Sequence, residues 1–271
     1  MSILSKDKIK KFILPYLSKG KRGESLSEEK RVNIVSLIFY RLKTGCQWRE
    51  LPIERYFKHN YSYKSVFYHF NKWSTDGSWT TMWQSLLKEY KKHLDLSCVQ
   101  LDGSHTRANR GGQAVGFQHR KSEETTNFLY LCDSKGILLG ISEPISGNNH
   151  DISNFKVHFE QLISWLEMSE ISVDGLFLNA DAGFDSTECR QICSQHKIHP
   201  NIAFNIRNGN NNERFEYFDE ILYQNRTIIE RAFAWIDAFK ALLVRYETKA
   251  NNWRCLNIIA MAICFVRKIN H

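Results

Sequence analysis

Residues 223–247, YQNRTIIERAFAWIDAFKALLVRYE, constrain this chain more than any other stretch. Apolar side chains recur at Ile228, Ile229, Ala232, Phe233, Trp235, Ile236, Phe239, Leu242 and Leu243, at helical rather than alternating spacing. No Pro or Gly interrupts them. The pattern predicts one long helix, with Trp235 and Phe239 in the core. Tyr223, Arg226 and Glu230 follow one another at intervals of three and four, so they share a face of that helix. A carboxylate is thereby held on a rigid rod beside a cation and a phenol. Taken alone, Arg226 and Glu230 read equally well as an ordinary surface pair. Two carboxylates elsewhere in the chain alter that balance.

Charge divides the chain before any motif does. Residues 1–95 hold 19 Lys and Arg against 9 Asp and Glu, and residues 96–271 hold 18 against 20. The net charge of +8 therefore originates wholly in the first third. A basic part joined to a slightly acidic one points to a polyanion-binding arm attached to something that concentrates carboxylates. With 271 residues, 42% of them hydrophobic, there is material for one large core or two modest ones. The expected division is a helical basic domain over 1–95 and a second domain over 96–271. Seven scattered cysteines, an odd number, do not make a disulfide framework. The N-terminal MSILSKDKIKKFILPYL lacks the apolar core of a secretory signal, and the run from Leu256 to Val266 is too short to span a bilayer. The expectation is a reduced, cytoplasmic protein with no membrane partner.

In the basic part, residues 5–19, 27–44, 61–73 and 78–94 read as helices, with Gly45 stopping the second and Pro52 breaking the chain after it. The third interleaves Lys64, Lys72 and His69 with Tyr61, Tyr63 and Tyr68. Short basic and aromatic helices fit a helix-turn-helix-like DNA reader, with Lys64 and Lys72 as candidate contacts. A bundle whose charges merely solvate it is the alternative.

At Ser97 the texture changes. SCVQLDGS reads as a strand ending near Asp102, and 125–134 with 137–146 as a hairpin carrying exposed charges at Asp133 and Glu143. A helix over about 151–168 follows, capped by Asp151 or Ser153. DGLFLNAD is a fourth strand ending at Asp181; a helix capped by Asp185, a fifth strand (HPNIAFNI), the long helix and a last apolar helix over 252–268 complete the chain. The order β-β-β-α-β-α-β-α builds a mixed five-stranded α/β sheet with helices on both faces, as in ribonuclease-H-like nucleases. In such a sheet the first and fourth strands can lie side by side, bringing Asp102 to Asp181, and the helix can add Glu230. Three converging carboxylates repel one another unless a cation joins them. Oxygen ligands suit magnesium or manganese.

Four blocks then resemble one family in the right order: TGCQWRELP in the arm, LDGSHTRANRGGQAVGFQHRK around Asp102, LNADAGFDS around Asp181, and the Tyr-x2-Arg-x3-Glu pattern ending at Glu230. The chain is similar over nearly its whole length to DDE-type insertion-sequence transposases of the fifth insertion-sequence family. The wider pattern has a Lys seven residues after the Glu; that position is Asp237 here, with Lys240 one turn further on. The resemblance implies that Asp102, Asp181 and Glu230 are the catalytic and metal-binding residues. They would hold two Mg2+ or Mn2+ ions about 4 Å apart for DNA strand cleavage and strand transfer. It implies Arg226 against a phosphate and Tyr223 beside it, with Arg120 and Lys121 as further DNA contacts. The implied partners are terminal inverted repeats and target DNA, engaged by at least a homodimer in a prokaryotic nucleoid. A nuclease of the same fold without strand transfer, and an inactive DNA-binding derivative, remain as alternatives.

Other clusters read more plainly. Cys189, Cys193, His196 and His199 lack a second knuckle and read as buried thiols and surface imidazoles rather than zinc ligands. His150-Asp151 reads as part of a helix cap.

Overall fold

The structure, a computed structural model, describes residues 3–20, 26–58, 60–149, 154–208 and 217–269. The chain divides into two compact units, one made of residues 1–89, 108–113 and 235–271, the other of 90–107 and 114–234. These packing units run differently along the sequence from the 1–95 and 96–271 division expected above, because the last helix returns to the first ones.

The helical unit contains α1 (Lys6–Phe12), α2 (Glu28–Thr44), α3 (Tyr63–Thr75), α4 (Ser78–Glu89), α9 (Lys240–Leu243) and α10 (Ala250–Lys268). Ser27 caps α2 by accepting from the Lys30 N–H, Glu28 and Glu29 occupy its positive end, and Gly45 at φ 71° ends it in the left-handed region that glycine adopts without strain. Helix α10 packs against α2, α3 and α4. Trp83 meets Phe265 edge to face at 5.6 Å, and Trp73, Trp79, Trp83 and Trp253 are all buried. The wall of the N-terminal bundle is thus closed by the C-terminal helix.

The TGCQWRELP stretch has a structural task here. Trp48 lies under the Arg41 guanidinium at 4.6 Å and donates from Nε1 to Glu247 Oε1 at 3.1 Å. Arg41 reaches the same oxygen at 2.7 Å, with both side chains nearly buried. Arg245 is buried as well. It donates to the carbonyls of Gln113 and Glu247 at 2.7 and 2.8 Å, and burial lowers its pKa to about 10. These bonds seat the loop at Gly112, where a Cβ would fall 2.5 Å from the Thr248 carbonyl oxygen.

The second unit holds the sheet: β1 (Val99–Ala108), β2 (Gly116–Gln118), β3 (Glu123–Cys132), β4 (Leu138–Ile141), β5 (Ile145–Ser146), β6 (Phe177–Ala180) and β7 (His199–Ile202). Its order is β2-β3-β1-β6-β7, with β4 and β5 also pairing with β3. β1 runs antiparallel to β3 and parallel to β6, and β6 parallel to β7. This is the ribonuclease-H-like arrangement, with helices on both faces. Helices α5 (Phe155–Met168) and α6 (Thr187–Gln195) pack beside it, α5 on β3 and β4 and α6 on β7. Gly140 on β4 lets Trp165 approach, and the Trp165 indole donates to the Ile141 carbonyl at 2.8 Å. Residues 125–132 of β3 are buried throughout, as expected of a strand covered on both sides.

Several expectations need correction. The predicted helix over 223–247 is three helices: α7 (Glu220–Gln224), a 3-10 turn at Asn225–Thr227, α8 (Ile228–Asp237), and then α9 after an extended Phe239. A two-residue strand (Val244–Arg245) follows, here β8. No Pro or Gly marks the break after Asp237. It is made by tertiary contacts: Lys43 Nζ donates to the Ala238 carbonyl at 2.7 Å, and Phe239 turns inward to become 1% exposed. Trp235, expected in the core, is 38% exposed, with the Lys268 ammonium 3.5 Å over its ring. β1 continues six residues past Asp102 rather than ending there. Asp133 is fully buried instead of exposed, because its carboxylate accepts from the N–H groups of Asp95, Lys135 and Ile137 and so builds the turn. Ser186, not Asp185, caps α6. Asp185 is buried, accepting from Arg190 at 3.1 and 2.9 Å and from the Asn205 N–H at 2.8 Å. His150, Asp151 and Ser153 lie outside the described residues, and α5 starts from Asn154. All seven cysteines are free thiols. Cys189 and Cys193 are buried, His196 pairs with Glu160 at 3.1 Å, and His199 stacks on Phe177.

Candidate active site

Three buried amides cross the sheet where β1, β6 and β7 lie side by side. Gln100 is paired in register with Asn179, and Asn179 with Asn201. Asn179 Nδ2 donates to Gln100 Oε1 at 2.8 Å, and Asn201 Nδ2 donates to Asn179 Oδ1 at 2.7 Å. All three side chains are fully buried. A buried amide left unpaired costs about 1–3 kcal/mol, so a ladder like this is tolerable only when its outer groups also find partners. They find them on one short segment. Asn179 Nδ2 also donates to the Leu222 carbonyl at 2.8 Å. Asn201 donates to the Asp219 carbonyl at 3.0 Å and accepts from the Asp219 N–H at 2.7 Å.

Asp102 stands two residues beyond Gln100, and Asp181 two beyond Asn179. Side chains two apart on a strand share a face, so both carboxylates project on the side of the ladder and of residues 219–222. Asp102 lies in β1 and Asp181 just past the end of β6; both are half-buried. Each is fixed by a glycine N–H one or two residues on: Gly103 donates to Asp102 Oδ1 and Gly183 to Asp181 Oδ1, both at 2.8 Å. A Cβ on Gly183 would stand 2.9 Å from that Asp181 oxygen.

Tyr223 follows Leu222 directly and records the convergence. Its phenol is pushed up first by burial, then by Asp181 and Asp102 together, while Arg226 opposes them. The Arg226 guanidinium lies 5.6 Å from the Tyr223 ring centre. Four of the expected residues, Asp102, Asp181, Tyr223 and Arg226, therefore occupy one neighbourhood. The 3-10 turn that carries Arg226 packs on β6.

Glu230 sits in the first turn of α8 and is exposed. Its helix is anchored by buried Ile229 and Ala232 and by Phe233, whose ring meets Tyr130 edge to face at 5.3 Å. Among the described residues no three His, Cys, Asp or Glu side chains stand close enough together to hold one ion. Asp102, Asp181 and Glu230 thus do not form one such group. Asp102 and Asp181 remain a fitting oxygen donor pair for magnesium, which is commonly bound by one or two carboxylates plus substrate phosphate. Asp237 closes α8, its carboxyl raised by burial, and Lys240 opens α9 in the helical unit.

The expected DNA contacts are dispersed. Lys64 is exposed on α3, while Lys72 is half-buried and donates to the Lys19 carbonyl at 3.1 Å. Arg120 and Lys121 are exposed at the turn between β2 and β3, and Lys121 Nζ donates to the His105 carbonyl at 3.3 Å. Among the described residues no helix is long and apolar enough to cross a membrane. Gln100, Asn179, Asn201 and Tyr130 were not marked by the reading of the sequence, and Phe233 only as one apolar position of the helix. The signal for the ladder was present in Gln-Leu-Asp and Asn-Ala-Asp, an amide two residues before each aspartate in an apolar strand.

Comparison with known proteins follows the same outline. Residues 7–83 match the family described as "Putative transposase of IS4/5 family", and residues 93–265 match the transposase DDE domain. No curated protein matches the chain. Two solved structures match the chain: a pre-cleavage Mos1 transpososome, at 10% identity over 93% of this chain and 82% of that one, and the Mos1 mariner paired end complex with Mn, at 11% over 96% and 83%. Their TM-scores are 0.28 and 0.29. The domain match spans well over half of the sequence and includes both aspartates and the Tyr-x2-Arg-x3-Glu segment, and on that ground the chain belongs to the DDE transposase family.

Proposed function

We propose that this transposase binds the terminal inverted repeats of its own insertion sequence and catalyses metal-dependent cleavage and transfer of DNA strands. The observation that carries the reading is the pair Asp102 and Asp181, each two residues beyond the in-register Gln100–Asn179 pair, with Tyr223 and Arg226 beside them. Two half-buried carboxylates on adjacent strands are a poor arrangement for a core and a good one for a hard cation.

Asp102 and Asp181 would hold two Mg2+ or Mn2+ ions, with Glu230 as the third carboxylate. When bound, such ions activate the attacking oxygen and stabilise the leaving one in an in-line displacement. The chain's own groups do the positioning. The Gly103 and Gly183 N–H groups each fix one carboxylate oxygen. Arg226 meets a backbone phosphate, and Tyr223, kept protonated by its raised pKa, donates to an oxygen nearby. Glu230 joins when α8 and its side chain close on bound DNA, which brings a phosphate to the carboxylates. Lys64 and Lys72 on α3, with Arg120 and Lys121, supply phosphate contacts that give salt-dependent affinity. Joining two ends requires at least a dimer on DNA, working in the cytoplasm at the nucleoid.

The exposed position of Glu230 favours a second reading, a DNA-binding derivative that no longer cuts. Nicking of end-labelled inverted-repeat DNA with Mg2+, by the wild type and by Asp102→Asn, Asp181→Asn and Glu230→Gln, separates the two. The proposal requires cutting by the wild type and none by the variants. An inert wild type that still binds ends supports the derivative, and equal cutting by all four proteins overturns the site.

A further inference from the structure

We infer that the Gln100–Asn179–Asn201 ladder is a positioning device that seats residues 219–222 at the carboxylate end of the sheet. It thereby delivers Tyr223 and Arg226 to Asp102 and Asp181. The inference rests on the strand-cutting reading above, and one of its two readouts does not.

Three fully buried amides are an unusual way to fill the face of a sheet. Apolar residues of the same shape hold two elements together about as well, because replacing both partners of a buried hydrogen bond is often nearly neutral. Apolar contact, however, tolerates sliding, whereas hydrogen bonds do not. Asn201 grips both the N–H and the carbonyl of Asp219, as a neighbouring strand would, and Asn179 holds the carbonyl of Leu222. Those contacts leave α7 one register. A slip of one residue would turn Tyr223 by about 100° about the helix axis, away from the aspartates whose fields it now feels. The ladder also joins the two sides of the site through its own members. Gln100 and Asn179 are on the strands that carry Asp102 and Asp181, so the same hydrogen bonds set the aspartates and the arriving helix in one frame.

Gln100 is a member of the ladder but makes no bond of its own to 219–222 among the contacts described, which supplies an internal control. The test compares Asn179→Leu, Asn201→Leu and Gln100→Leu in the full-length protein. Amide hydrogen exchange without metal or DNA reads the seating directly, and nicking of labelled ends across a Mg2+ series reads its consequence. We expect the two Asn variants to exchange about tenfold faster over 219–230 while β3 and α5 keep their protection. We expect their nicking at saturating Mg2+ to fall about a hundredfold, the loss typical of a misplaced reacting group. Gln100→Leu should change the exchange over 219–230 far less, and end binding should stay near wild type in all three. Unchanged exchange over 219–230, or wild-type nicking by both Asn variants, overturns the inference. Should the Leu variants fail to fold by circular dichroism, Asn179→Asp and Asn201→Ser provide the same comparison, the first keeping the acceptor for Asn201 while losing the donor to Leu222. Asp102→Asn is run alongside. If it cuts like wild type the strand-cutting reading fails, and the exchange result still decides the seating.

Discussion

Phe233 meets Tyr130 edge to face with ring centres 5.3 Å apart, and Tyr130 stands directly opposite Asp102 across the β1–β3 pair. Helix α8 is therefore anchored three residues past Glu230 by a ring on the same face of the sheet as the first aspartate. The amide ladder anchors the other end of the segment. Between these two fixed points lie Tyr223 and Arg226, with Glu230 one turn short of the second. Phe233→Ala should lower stability by about 2 kcal/mol, less than for a fully buried Phe, and Phe233→Leu by under about 1.5 kcal/mol. Urea unfolding of the two variants against wild type measures this. A loss within error for Phe233→Ala would mean that the ring contact does not anchor α8.

Neutralising the carboxylates should separate binding from chemistry. Asp102→Asn and Asp181→Asn each keep shape and remove charge, and should reduce Mg2+-dependent nicking by about a thousandfold or more. Affinity for the ends, measured by gel shift in EDTA, should remain within about twofold, since it comes mainly from Lys and Arg on phosphates. Replacing Lys64 by Ala should do the reverse, weakening affinity and flattening its dependence on salt by about one charge.

The closure of the N-terminal bundle by α10 gives a prediction about truncation. A fragment ending at residue 95 lacks the helix that covers α3 and α4, including the Phe265 ring against Trp83. It should melt without a cooperative transition and bind a hydrophobic dye, whereas the full chain should do neither below its melting temperature. Sharp two-state melting of the fragment would show that α10 is dispensable.

Glu247 neutralises Arg41 in nearly buried surroundings and accepts from Trp48. Burial lowers the Arg41 pKa, with Glu247 opposing. Removing the carboxylate leaves an uncompensated buried charge, so Glu247→Ala should cost about 3–5 kcal/mol in denaturant unfolding. The double variant Arg41→Met with Glu247→Leu should recover most of that loss, because an apolar pair of similar volume avoids the desolvation of both ions.

Asp219 caps α7, and its carboxylate is held below the usual range by the Leu222 N–H, with the Tyr217 hydroxyl assisting. A depressed carboxylate contributes stability that is complete above its unfolded value, near about 4, and is lost as the pH falls through the lower folded value. Exchange over 219–224, corrected for intrinsic rates, should be flat from neutral pH down to about 5 and rise below about 4. Asp219→Asn should remove that rise; a rise that persists in the variant would assign it to another group.

Much of this was legible in order along the chain. Helix caps and stops at Ser27 and Gly45 are local chemistry, and they appear where the residues predict. The strand order and the adjacency of Asp102 and Asp181 follow from the sequence of elements, because a ribonuclease-H-like topology leaves few places for a fourth strand. Asp133 was misplaced at the surface because a charge in a turn looks exposed unless its acceptor role is known, and its donors are backbone N–H groups that no sequence pattern displays. Asp185 was read as a helix cap, whereas its partners are the Arg190 side chain and the distant Asn205 N–H. The long helix was misread for a related reason. Its apolar spacing is helical throughout, yet Lys43, nearly two hundred residues earlier, holds the Ala238 carbonyl and the chain turns there.

By itself the sequence determined most of the types of element and the charge of the arm, both of which depend on neighbours within a few positions. Only the tertiary structure decided that α10 completes the N-terminal bundle, that two amides of a buried ladder hold α7 to the sheet, and that Asp102, Asp181 and Glu230 are not drawn into one cluster. Each of those is a contact between segments distant in the chain, and the directional hydrogen bonds and ring packing that select it have no periodicity to read.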